Sequence, residues 1–148
     1  MSIVNCTPHP IDVFKKLDED DWKFMVRIPP SGFVMRLDSH EQECRGAWGA
    51  TGVDGELVRI PVVTSQRFKT EIKWPTSEEI PELSDENAVI LVSMPVGQFI
   101  AELNEDIPYN VGGPDTGPEG VVRDSEGQIL GTTRFVWYRA KGTSVGRT

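Results

Sequence analysis

The sequence predicts an α+β protein: a β-rich core of antiparallel strands carrying one or two short helices, with a C-terminal hairpin. Three stretches carry that expectation. Ala88-Val-Ile-Leu-Val92 is an unbroken apolar run, the pattern of a strand covered on both faces. Ser93 follows as a helix N-cap and Pro95 falls in the first turn, where its missing donor costs nothing. Val96, Phe99, Ile100 and Leu103 then share one face at helical spacing. Finally, Asp124-Ser-Glu-Gly127 separates the short apolar segments around Val121 and Ile129, and Gly127 can supply the positive φ a reversal needs.

The other elements follow in chain order. Ile3 and Val4, then Ile11, Val13 and Phe14, form two extended segments about Thr7-Pro-His-Pro10, because each proline pushes the residue before it toward extended geometry. The acidic turn Asp18-Glu-Asp-Asp21 leads into an alternating strand from Trp22 to Ile28. Pro29-Pro-Ser-Gly32 ends it, and Phe33-Val-Met-Arg-Leu37 opens the next strand of a β-meander. Residues 38–56 form a polar, glycine-bearing insert with Cys44 and Trp48 as its anchors. Leu57 to Val63 is a strand whose Pro61 marks an edge or a bulge. Thr76 to Asp85 is an acidic, proline-bearing surface loop. Residues 1–139 are expected to form one ligand-binding domain, and 140–148 a disordered tail.

The formal charge of −8 disfavours a DNA partner, since basic residues could be gathered only in a pocket. Two cysteines, Cys6 and Cys44, make no disulfide framework and have no metal-type spacing, which suits reduced thiols in a cytosolic protein. No signal-peptide pattern opens the chain and no apolar run approaches ~20 residues, so no membrane association is expected. The sequence carries no motif for a cofactor or a metal. His9 lies between prolines and His40 in a polar segment, and neither has a partner that would make it a catalyst or a ligand.

Asp115 and Asp124 could flank a substrate as a carboxylate pair. Turn chemistry favours the plainer reading, in which Asp115 caps the loop Gly112 to Pro118 and Asp124 shapes the final turn. That loop lacks the Lys-Ser/Thr that follows the glycines of a phosphate-binding P-loop. Arg123, beside aliphatic neighbours, must find a carboxylate or a phosphate. Arg36, on the face opposite Met35 and Leu37, raises the same question, and salt bridging and ligand binding both stay open.

Several phrases, in order, resemble the small phage anti-Thoeris proteins, called sponges, that sequester cyclic nucleotide signals of bacterial defence. They are Ile3-Val-Asn-Cys-Thr-Pro-His9, Pro29-Pro-Ser-Gly32 followed by Arg36, the strand running into Ser93 and its helix, and Val122-Arg-Asp-Ser-Glu-Gly-Gln-Ile129. The resemblance implies a non-catalytic protein of the host bacterial cytoplasm, homo-oligomeric through a helix, that binds a cyclic ADP-ribose isomer and in some members cyclic oligonucleotides. Carried over by position, Phe99 and Asn104 would contact base or ribose. Arg36, and Arg123 with Asp124, would serve phosphates and hydroxyls. Met94-Pro95 and the long Gly112 to Pro118 loop depart from the pattern. The competing classes are a phage accessory or structural β-domain and a nucleotide phosphodiesterase.

Overall fold

The computed structural model describes residues 2–37, 44–63 and 72–142. The chain divides into two compact units, one of residues 1–36 and 73–148, the other of residues 37–72. Among the described residues no helix is long and apolar enough to cross a membrane.

The larger unit holds two four-stranded sheets. The first runs β1 (Ile3–Asn5), β6 (Val89–Leu91), β7 (Asn110–Pro114), β10 (Phe135–Arg139). Its centre is β6, whose Val89, Ile90 and Leu91 are all buried, as the unbroken run predicts. Here the antiparallel expectation fails. β1 and β6, and β6 and β7, pair parallel, and only β10 runs against its neighbour, so the sheet is mixed. For β6 and β7 the reason is helix α1 (Met94–Glu102), which forms the crossover between them and returns the chain to the same end of the sheet.

Helix α1 begins where the sequence places it. Ser93 has extended geometry and its carbonyl accepts from the Gly97 N–H (2.9 Å), but its hydroxyl makes no capping bond. Val96 and Ile100 are buried and the helix packs on β7 and β10. That side of the helix is therefore spent on the chain's own sheet. Gly97 allows this close approach, because a Cβ there would sit inside the ring of Tyr138.

The second sheet runs β3 (Asp21–Ile28), β2 (Ile11–Asp18), β9 (Ile129–Thr132), β8 (Val121–Arg123). β2 with β3, and β8 with β9, are antiparallel, while β2 and β9 meet parallel at Val13 and Thr132. Ile11, Val89 and Leu91 form a buried cluster joined by Val13 and Ile28, which holds the two sheets together.

The N-terminal meander is thus divided between sheets, and the hub of the division is Asn5, 1% exposed. Its Oδ1 accepts from the Thr7 N–H (2.9 Å) and hydroxyl (2.6 Å), and its Nδ2 donates to the carbonyls of His9 (2.8 Å) and Ile28 (3.1 Å). Such a saturated amide fixes the proline-bearing crossover from β1 to β2. Cys6 beside it is fully buried, and desolvation pushes its thiol up to about 11, so it is neutral at neutral pH. The expected strand Phe33 to Leu37 is not formed. This segment is irregular, tied down by a Met35 N–H donating to the Cys6 carbonyl (3.0 Å), and Arg36 is an exposed residue of it.

In the smaller unit, β4 (Cys44–Thr51) pairs antiparallel with β5 (Leu57–Val63). Part of the polar insert, Cys44–Thr51, is therefore a strand. Cys44 is exposed and Trp48 is 71% exposed, so neither is an anchor; the turn Gly52 to Glu56 organises the ribbon through local hydrogen bonds. Pro61 stands opposite Ala47, beside the register shift between Cys44 and Ala47. The loop from Thr76 to Asp85 is pinned by buried Ile80 and Leu83 around a 3-10 turn, Pro81–Ser84. The expected disordered tail falls, from residue 143 on, outside the described residues, as does His40.

Candidate functional site

Two of the six residues singled out by sequence lie together. Arg123 and Asp124 line a cleft of about 620 Å³ with Glu19, Asp20, Trp22, Pro118, Val121 and Ser125. Local chemistry builds one wall. Asp124 Oδ1 accepts from the N–H groups of Glu126 and Gln128 (both 2.9 Å), the Gly127 N–H donates to the Asp124 carbonyl (3.0 Å), and Gly127 takes φ of 82°. Asp124 is thereby committed to its turn through one carboxylate oxygen, in agreement with the plainer of its two readings.

Arg123 gains its orientation from the same turn. Its Nη1 donates to the Gly127 carbonyl (2.7 Å), which aims the guanidinium without neutralising it. Among the described residues no carboxylate forms an ion pair with Arg123, although Glu19, Asp20 and Asp124 line the same cleft. The opposite wall comes from the turn between β2 and β3 and from Trp22, whose ring carries the Lys16 ammonium 5.6 Å from its centroid. Trp22, Glu19 and Asp20 are the site residues that sequence reasoning missed. The acidic turn and the strand were visible, but nothing local tells that they meet β8.

The remaining four residues stand apart from this cleft's walls. Asp115 Oδ1 accepts from the Gly117 N–H (2.9 Å), and its Oδ2 pairs with Arg134 Nε (2.7 Å), so its carboxylate is engaged in loop capping and an ion pair. Gly120 leaves room for it, since a Cβ there would lie 2.5 Å from Asp115 Cγ. Phe99 is half-buried on α1, Asn104 is exposed beyond the end of that helix, and Arg36 is exposed. The carboxylate pair of Asp115 and Asp124 does not share the cleft. His9 is exposed.

The Arg134 hydrogen bond, with the Gly117 N–H, lowers the Asp115 carboxyl below its ordinary value of 3.8, and the Arg134 guanidinium is raised in return. A depressed carboxylate contributes stability that is complete above 3.8 and is lost as pH falls through the lower folded-state value. Asp115→Asn should therefore melt below the parent near neutral pH. The gap in melting temperature should narrow between about pH 5 and about pH 2; a gap that stays constant over that range would show that the ion pair contributes nothing. A second cleft, about 390 Å³, lies beside Asn5 and Ser31 and is walled by Ile80, Glu79 and Glu82.

No family model, no curated protein and no solved structure matches the chain.

Proposed function

We propose that this protein sequesters a cyclic nucleotide immune signal, a cyclic ADP-ribose isomer first among the candidates, and blocks bacterial anti-phage defence without catalysis. The observation that carries the reading is Arg123. At the end of β8, which pairs antiparallel with β9, its guanidinium is oriented by a backbone carbonyl, forms no ion pair with a carboxylate among the described residues, and lines a cleft of nucleotide size. A phosphate oxygen is the partner such a group accepts best. The ordered sequence phrases around Asn5, Ser93 and Arg123 supply the biological setting, the host cytoplasm included.

The test is retention. The protein is incubated with the products of a TIR-domain enzyme, freed of unbound nucleotide, heat-denatured, and the supernatant is analysed by mass spectrometry. Intact cyclic nucleotide in stoichiometric amount supports a sponge, and cleaved product would mean a phosphodiesterase. A useful sponge needs roughly nanomolar affinity, about −12 kcal/mol. Arg123→Ala should lose about 1.5–3 kcal/mol of that, while folding loses about 1 kcal/mol or less with the Gly127 bond. Unchanged affinity in calorimetry would place the site elsewhere.

A structural or accessory β-domain that self-associates is the second reading. It is supported by an apolar hollow of about 190 Å³ on the first sheet, with exposed Ile3, Phe135 and Trp137 around Gly112. Absence of any retained nucleotide would favour it, and a particle of 16.5 kDa in light scattering would remove self-association from either reading.

A further inference from the structure

We infer that Trp22, rather than Phe99, is the platform on which the ligand's base stacks, and that the stacked group is a neutral heteroaromatic base bearing an exocyclic amino group. This rests on the reading of the cleft as a nucleotide site. Trp22 walls the cleft that holds Arg123, whereas Phe99 does not line it.

Taken alone, an indole with three carboxylates nearby is a fit for an ammonium ligand, because the π face attracts cations and the acids add to that attraction. Lys16 changes the balance. Its ammonium already lies over the Trp22 ring, at 5.6 Å from the centroid, and Lys16 is not among the walls of the cleft. The indole is therefore already engaged by a cation of the chain itself, its cross-strand neighbour. A second cation on the same ring would meet the repulsion of the Lys16 ammonium. A neutral base loses nothing by this arrangement, since stacking of a base on an aromatic ring does not need a negative face.

The acidic residues then have a defined use. The carboxylate oxygens of Glu19 and Asp20 are hydrogen-bond acceptors, so they suit N–H and O–H donors such as an exocyclic amino group or the hydroxyls of a ribose. Arg123 lines the same cleft and offers only donors, which suits a phosphate oxygen. One cleft therefore presents a plane, an acceptor edge and a donor, the three chemistries of an adenine nucleotide.

The experiment is calorimetric titration of the full chain with a purified cyclic ADP-ribose isomer and with its hypoxanthine counterpart, in which a carbonyl replaces the amino group. Trp22→Leu should weaken binding on the order of tenfold to a hundredfold. Trp22→Phe, which keeps a plane, should recover most of that loss, as a purely structural tryptophan would not require. The parent should prefer the amino-bearing ligand, and Glu19→Gln with Asp20→Asn should erase that preference. Parent-like affinity in Trp22→Leu, with the parent binding normally, overturns the platform while leaving the cleft's function standing. A parent that binds neither nucleotide overturns both.

Discussion

Gly131→Ala should destabilise the larger unit by about 1–3 kcal/mol, the range for overfilling a packed site, and toward the upper end of it. A Cβ at this position would collide with the carbonyl oxygen of Asp12, stand 2.8 Å from Phe14 Cε2 and lie 3.0 Å from the Asp12 carbonyl carbon. Two of the three obstacles are main chain, so rotation of a side chain cannot relieve them. The site matters because β2 and β9 are joined at a single pair, Val13 and Thr132, next to Gly131. Pushing β9 away would separate the half of the sheet that carries Arg123 from the half that carries Trp22. Urea unfolding should show a lower midpoint with the slope unchanged. A midpoint equal to the parent's would mean that β9 moves freely and that the joint between the two halves is loose.

Arg139→Met should cost about 3 kcal/mol or more. Arg139 is 6% exposed, and its guanidinium donates to three carbonyls at the end of α1: Nη1 to Ile100 (3.2 Å) and Leu103 (2.9 Å), Nη2 to Glu105 (2.6 Å). Methionine preserves the apolar stem but leaves those acceptors without a donor, at about 1–3 kcal/mol for each that stays buried. The Nε of Arg139 is itself buried and has no hydrogen-bond partner among the described residues, which offsets part of the gain. Arg139→Lys should retain an intermediate stability, because an ammonium can reach some of the carbonyls but cannot span them as a planar fork does. Thermal unfolding followed at a helical wavelength decides the matter. If Arg139→Met melts with the parent, the helix end is satisfied by water and Arg139 is not its cap.

These two positions also show where the sequence stops speaking. The start of α1 is local: Ser93 extended, Pro95 in the first turn and Val96 with Ile100 on the buried face all follow from sterics within a few residues. Its end is not. There is no basic residue in the last turn and Leu103 at the C-cap is extended, so the acceptors are met by a side chain 36 residues further on. No window on the sequence contains that pairing.

The same division holds for the sheets and for the cleft. Burial of β6 on both faces is legible because a run of apolar side chains must be covered on each side whatever covers it. The turn Asp124 to Gly127 is legible because its bonds close within five residues. Strand order and direction are not, since pairing depends on which distant faces meet. That is why parallel β1, β6 and β7 replace an antiparallel core, and why β1 and β2 enter different sheets. Trp48 misleads for a related reason: its apolarity predicts burial, but among the described residues β4 and β5 form a two-stranded ribbon, which leaves Trp48 exposed. For the candidate site, the sequence by itself determined Arg123 and the turn that aims it. Tertiary structure alone set Glu19, Asp20 and Trp22 against Arg123, because that meeting depends on a strand pairing between residues more than a hundred positions apart.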